Sequence, residues 1–321
     1  MRTCVVTPCY RTKSKAADVI KSIPDIVERI FAVDDCCPEE TGKYLISEIN
    51  DPRLKVIFHD KNKGVGGAVM TGYRAALEEN YDIIIKIDSD GQMDTGCIPQ
   101  FIEKIETGTA VYVKGNRFYF PDNLIKMPKL RMIGNFGLSF LSKLVSGYWE
   151  LMDPANGYTA ISNSALKVLP LDKIDNGYFF ENDILFRLGT FRAAVDEVPV
   201  ESIYKDEKSS MRIPLILATF PFKYTLRFIK RILYNYYLRD FNLGSVYILF
   251  SILLLTTGTG FGLYKWAISH ETNVPSTAGT VMIPVVLVIF GMQFLLSAIN
   301  FDMNFKRRLV PRNKHNLRNE R

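Results

Sequence analysis

The 321-residue chain has no charged side chain between Leu243 and Tyr264, and none between Asn273 and Phe301. These gaps exclude an ordinary solvated surface for the last third, because surface helices carry charge along one face. Each gap reaches the ~20 residues that span a bilayer. Cysteine is sparse and unpatterned. There are five, two of them adjacent (Cys36-Cys37), with no regular spacing and no Cys/His cluster. That excludes a disulfide framework and leaves a zinc site unsupported, so reduced thiols in a cytosolic domain are expected. The N-terminus enters a β-rich run directly at Cys4-Val5-Val6, and no signal peptide is expected. Internal repeats and low-complexity tracts are absent.

What is present is unevenly placed. The apolar fraction, 47%, is ordinary for a soluble protein, so the uncharged runs are a matter of distribution. The net charge of +6 is concentrated at positions 205–239 and 306–321, flanking those runs. Basic residues beside apolar runs point to an anionic membrane surface and away from nucleic acid. Arg231 and Arg239 precede the first run, and Lys306, Arg307 and Arg308 follow the second. The positive-inside rule then places the first two thirds of the chain and both termini in the cytoplasm, with the polar link Lys265–Thr272 outside. The expected location is multi-pass in an inner or plasma membrane. Positions 213–237 mix aromatic and basic residues, as in a helix lying at the membrane interface. The expected domains are a cytosolic domain over 1–212, interfacial amphipathic helices over 213–240, two transmembrane helices over 241–303, and a basic cytosolic tail over 304–321.

The first two thirds alternate strand and helix patterns. Strands are expected at Thr3–Thr7, Ile30–Val33, Leu54–Phe58, Ile83–Ile87, Ala110–Lys114, after the loop that begins at Asp153, and at Ala193–Pro199. Helices are expected at Ala16–Ile23, Thr41–Ile49, after Gly64, at Ile98–Ile105, Lys126–Val145 and Tyr178–Leu188. In Lys126–Val145 the residues Met127, Leu130, Ile133, Phe136, Phe140 and Leu144 are spaced for one face. Alternation of this kind predicts a doubly wound, mostly parallel α/β sheet.

The organising stretch is Ile83-Ile84-Ile85-Lys86-Ile87-Asp88-Ser89-Asp90-Gly91-Gln92. A β-branched strand runs into an acidic turn, at the strand end where open α/β sheets bind ligands. Two carboxylates one residue apart repel unless a cation sits between them. Mg²⁺ takes one or two carboxylates and completes its shell with substrate phosphates. Gly91 permits the turn, and Gln92 adds a neutral oxygen. Asp34-Asp35, Thr7, Pro8 and Tyr10 lie at the same sheet edge and outline a nucleotide pocket. Asn62–Ala68, rich in glycine, opens a helix, where backbone approaches a ligand closely and anions are favoured; a plain turn fits equally well. Arg117 and Arg131 suit a phosphate. Asp153, Glu181 and Asp183 suit sugar hydroxyls or the attacking group.

Taken in order, these motifs resemble the inverting family-two glycosyltransferases. More narrowly they are similar to the polyprenyl-phosphate glycosyltransferases, the group of dolichyl-phosphate-mannose synthase, in its two-transmembrane-helix subgroup. The likeness covers roughly residues 1–240. It implies a GT-A (Rossmann-like) fold, a nucleotide-sugar donor, Mg²⁺ or Mn²⁺, a polyprenyl phosphate acceptor and a homo-oligomer such as a tetramer. On this resemblance Asp88, Asp90 and Gln92 hold the metal. The nucleotide-sugar meets Pro8, Tyr10, Asp35, Gly64, Asp88, Ser89, Lys205 and Arg212. The acceptor phosphate meets Arg117, Arg131 and Asn135, and Asp90, Asp153, Glu181 and Asp183 are the catalytic candidates. The family's Tyr-Asn-Glu is Tyr10-Arg11-Thr12 here, and its Asp-Asp-Gly-Ser is Asp34-Asp35-Cys36-Cys37. The Gln-x-x-Arg-Trp motif of processive synthases is absent from the sequence. The expected reaction is inverting transfer of a hexose or N-acetylhexosamine, UDP-linked, to undecaprenyl phosphate. The alternative acceptor is a glycolipid or saccharide hydroxyl, with Asp183 as base.

Overall fold

The computed structural model describes residues 1–120, 129–201 and 213–304; within these, some side chains of 129–135 and those of 213–218 are not described. The chain forms two units, residues 1–228 and a second from Ile229 onward. The seven expected strands all form, in chain order: β1 Thr3–Cys9, β2 Arg29–Asp34, β3 Leu54–Phe58, β4 Ile83–Lys86, β5 Tyr112–Asn116, β6 Thr159–Ser162 and β7 Val195–Pro199. Between them run α1 Lys13–Ser22, α2 Thr41–Glu48, α3 Gly64–Glu78, α4 Ile98–Glu106, α5 Lys129–Ser146, α6 Asn163–Val168 and α7 Phe180–Phe191. Then come α8 Ile213–Leu233, α9 Leu243–Thr272 and α10 Ala278–Met303.

The strands make one sheet in the order β3-β2-β1-β4-β6-β5-β7. Side chains alternate across it with period two. Val5, Ile30, Ala32, Ile83, Ile85 and Ala160 pack against α1, α2 and α4. Cys4, Val6, Phe31, Ile84, Tyr112 and Ile161 pack against α3, α6 and α7. Each central strand is therefore covered on both faces, which is why it reads as a continuous apolar run. Gly72 of α3 sits over β1 so closely that a Cβ there would lie 2.3 Å from Val6 Cγ1.

Six strands run the same way, and β6 alone is antiparallel to both its neighbours, β4 and β5. Strand direction decides what the edge of the sheet carries. Because β6 starts where β4 and β5 end, the loop Asp153–Tyr158 that feeds it lies at their carboxyl edge. Helix α5 also departs from a simple reading. Its expected apolar face carries Phe136 and Phe140, and both are exposed. It packs instead through Leu138, Leu141 and Val145, which join Phe179, Phe186, Phe220 and Tyr224.

Residues 219–228 of α8 belong to the first unit, so that unit extends beyond the expected boundary at 212. Tyr224 is buried against Phe179, with ring centroids 5.0 Å apart.

In the second unit α9 and α10 are long and apolar enough to cross a membrane. Asn242 and Ser245 cap α9 reciprocally, and Asn273, with φ +53°, ends it. The stretch Lys265–Thr272, expected to be the link, is the last part of α9. The capped helix simply continues past the apolar run, and the connection is the five residues 273–277. The two helices meet at small residues. A Cβ on Gly258 would press on Leu287 and Val288, and one on Gly291 would press on Leu255. Arg231 forks onto Asp302 (2.8 and 3.0 Å), which also accepts from the Tyr236 hydroxyl at 2.6 Å.

Candidate active site

The acidic turn is built as the sequence suggests. Ser89 Oγ donates to the Pro8 carbonyl at 2.7 Å and lies 3.0 Å from Thr12 Oγ1, which ties the turn to the end of β1. Gly91 adopts φ +76°, and the Gln92 N–H donates to Asp90 Oδ1 at 3.0 Å. Asp88, Asp90 and Gln92 thus share one partly exposed turn at the carboxyl edge. Among the described residues no group of three His, Cys, Asp or Glu side chains gathers to hold a metal. Two carboxylates and an amide oxygen, all hard donors, still fit Mg²⁺ or Mn²⁺, provided substrate oxygens complete the shell.

Beneath this turn lies Lys86, the last residue of β4. It is 1% exposed, and its Nζ is 2.7 Å from Asp88 Oδ1 and 3.4 Å from Glu181 Oε1. Burial disfavours its charge, but Asp88 and Glu181 outweigh burial and hold its pKa above the ordinary lysine value. The three groups converge on Gly157. A Cβ there would meet Lys86 Nζ at 2.6 Å, Asp88 Oδ2 at 2.7 Å and Glu181 Oε1 at 2.9 Å. Only glycine leaves that space open. Lys114 of β5 is the counterpart, since Lys86 and Lys114 both register with Thr159 across β6. Lys114 is fully buried and donates to the Asn156 carbonyl at 2.6 Å. Burial lowers its pKa, partly offset by Glu181 and Asp153.

Asp153 and Arg117, read from sequence as separate functions, form one pair. Arg117 Nε and Nη2 fork onto the two oxygens of Asp153 at 2.6 and 2.9 Å, and Asp153 is fully buried. Glu197 supports them from β7. Its Oε1 accepts from the Met152 and Asp153 N–H groups, and its Oε2 accepts from Asn116 Nδ2.

At the other end of the edge, Asp34 caps α2 by accepting from the Cys37 and Gly42 N–H groups. Asp35 is also buried. It accepts from the N–H groups of Lys63 and Gly64, both at 2.8 Å, and its Oδ1 lies 2.7 Å from His59 Nδ1. The glycine-rich turn is shaped by protein contact. The Gly67 N–H donates to the Asn176 carbonyl, and a Cβ on Gly64 or Gly66 would strike the Asp175–Asn176 backbone. Gly64, at φ +83°, therefore lies under a strap of chain that leads to Glu181. Tyr10 is exposed beside the Arg11 guanidinium, 5.4 Å from its ring centre.

Asp183 is placed differently from the catalytic expectation. It is fully buried, and its oxygens accept from Arg227 Nε (2.9 Å), Arg227 Nη2 (3.3 Å), Arg187 Nη2 (3.5 Å) and the Asp175 N–H. With Lys223 paired to Asp175, it fastens α8 to the start of α7. Two positions along α7, about 200° of rotation at ~3.6 residues per turn, explain the contrast: Glu181 faces the cleft and Asp183 faces the interior. Arg131 and Asn135 lie on α5 with side chains outside those described, and Lys205 and Arg212 lie outside the described residues.

Sequence reasoning gave no role to Lys86, Lys114, Glu197 or the Asn176 strap, although Lys114 opens the Lys114–Arg117 motif. The two lysines carried a usable signal. Each closes or interrupts a buried strand, where a lysine needs an acid or carbonyl partner.

The family model described as glycosyl transferase family 2 matches residues 4–169. The chain is 30% identical over 241 residues to the UDP-N-acetylglucosamine–dolichyl-phosphate N-acetylglucosaminyltransferase of Methanococcus voltae, covering 70% of this chain and 95% of that one. It is 27% identical to the undecaprenyl-phosphate mannosyltransferase of Micrococcus luteus, covering 64% and 85%. Among solved structures it resembles glucosyl-3-phosphoglycerate synthase of Mycobacterium tuberculosis, at a TM-score of 0.54 and 18% identity. That likeness covers 72% of this chain and 79% of the other, and it shows the GT-A type of fold.

Proposed function

From the premise that this chain belongs to glycosyl transferase family 2, we propose that it moves a sugar, with inversion, from a UDP-linked donor to a polyprenyl phosphate at the cytoplasmic face of a membrane. The relatives' named acceptors and the two apolar helices support the lipid phosphate. The observation that carries the acceptor chemistry is the state of the buried acids. Asp153 is held by Arg117, and Asp183 by Arg227 and Arg187. A sugar hydroxyl needs a base to take its proton. A phosphate monoester arrives ionised, so this arrangement suits it.

In this reading Asp88, Asp90 and Gln92 hold Mg²⁺ or Mn²⁺. The ion, when bound, draws off charge that develops on the leaving diphosphate. Pro8, Tyr10 and Ser89 line the nucleotide side. Asp35 shapes that side through the Lys63–Gly64 turn, and Lys205 and Arg212 close over the diphosphate. Arg117, with Arg131 and Asn135 on α5, receives the acceptor phosphate, and Asp153 fixes the Arg117 fork. A phosphate oxygen attacks the anomeric carbon from the side opposite the diphosphate. One C–O bond forms as the other breaks, and the electron pair leaves on the diphosphate. Glu181 orients the sugar.

The test is transfer of radiolabelled sugar from UDP-glucose, UDP-N-acetylglucosamine and GDP-mannose to undecaprenyl phosphate, with Mn²⁺ present. A lipid-linked product from a UDP donor, with inverted anomeric configuration by NMR, is expected. No lipid-linked product from any donor overturns the reading. The hydroxyl-acceptor alternative rests on Asp183 as base. Asp183→Asn leaves two arginines facing a lost charge, so a stability loss of about 3–5 kcal/mol is expected. Thermal unfolding in detergent measures it. A rate loss at unchanged melting temperature would restore the alternative.

A further inference from the structure

We propose that Lys86 is a positioning residue of this site: an internal cation that ties Asp88 to Glu181 from below, leaves Asp88 Oδ2 as the oxygen offered to a metal, and keeps Glu181 out of the metal's ligand set. The proposal rests on the metal role given above to Asp88 and Asp90. Three observations carry it. First, the ammonium approaches from the protein side. Its side chain is 2% exposed, whereas that of Asp88 is 31% exposed, and its 2.7 Å contact is to Asp88 Oδ1. Second, Asp88 Oδ2, Glu181 Oε1 and Lys86 Nζ all lie within 3 Å of one point, the Cβ position that Gly157 leaves empty. Without the ammonium, two carboxylates would face each other across that point and invite a cation between them. Third, Lys86 is fixed by strand register. Its backbone stands opposite Thr159 in the ladder and its Nζ lies 5.6 Å from the Phe180 ring centre, so the ammonium reaches both acids from inside the sheet.

A resident cation competes with a divalent ion for the same carboxylates. Its loss therefore has a sign that mere structural damage does not share: metal should bind more tightly while turnover falls. Mn²⁺ binding to the donor-free full-length enzyme in detergent, read by EPR of the free ion, is the direct measurement. Lys86→Met is expected to tighten Mn²⁺ at least about tenfold, with kcat falling more than the donor KM rises. In Lys86→Met/Glu181→Gln part of that gain disappears, because Glu181 supplies it. Should Lys86→Met fail to fold, Lys86→Gln keeps a donor between the acids and is expected to shift affinity in the same direction. Unchanged or weaker Mn²⁺ binding in a folded variant overturns the role of Lys86 and leaves the metal reading standing. A wild-type enzyme that binds no Mn²⁺, with or without UDP, overturns both.

Discussion

Glu197 is a half-buried carboxylate whose pKa burial pushes up, against the pull of the Asp153 and Met152 N–H groups. A raised folded-state value means that the folded chain holds this proton more tightly than the unfolded one. The contribution is present below the unfolded value, near ~4.3, and is lost as pH rises through the folded value. Glu197→Gln cannot titrate, and its amide oxygen can still accept from both N–H groups. Its melting temperature relative to wild type is therefore expected to rise between about pH 4.5 and 7. Scanning fluorimetry across that range reads the difference, and a constant offset would refute it. At this scale the sequence was most legible where chemistry and local geometry coincide. Asp88, Asp90 and Gln92 share one turn, and adjacency alone brought them together. Asp153 and Arg117 were legible as residues but not as a pair, because their meeting depends on a loop 36 positions away. Lys86 was hidden in a run of isoleucines that announced only a strand.

Among the elements, the strands were legible because β-branched residues on both faces leave few alternatives. The direction of β6 was not, since a strand of four residues carries no directional signal. Nor was the outward face of α5 legible. Periodicity finds a stripe but does not say whether the stripe meets protein or another apolar medium. Helix α3 gives a sharper case, because two effects oppose at Gly72. Alanine would favour the helix by about 1 kcal/mol. Its methyl would also land on Val6, and overpacking costs about 1–3 kcal/mol. The clash is expected to win, so Gly72→Ala lowers the melting temperature. In Gly72→Ala/Val6→Ala the two changes should be less destabilising together than their separate effects sum to. Strict additivity would show that the close approach to Val6 does not matter.

At the level of the molecule, the charge map makes a topological claim. Arg231 and Arg239 lie before the hairpin and Lys306–Arg308 after it, so the connection 273–277 is expected on the far side of the membrane. A Ser276→Cys variant is expected to react with an impermeant maleimide in intact cells. Cys36, exposed on the first unit, should react only after permeabilisation. The reverse pattern would invert the assignment. The two-helix hairpin itself was legible in the absence of charge, whereas the true end of its first helix was not. Helix α9 has 30 residues, about 45 Å at ~1.5 Å per residue, against a hydrocarbon layer of ~30 Å. Hydrophobic mismatch then falls unequally on the two ends. With α9 set in a bilayer, a thicker hydrocarbon layer is expected to draw in the turns holding Tyr264 and Trp266, at the end opposite the Arg231–Asp302 clasp. Such a helix works like a mooring post longer than the tide is deep, and variation in lipid chain length is taken up at the end farthest from that clasp.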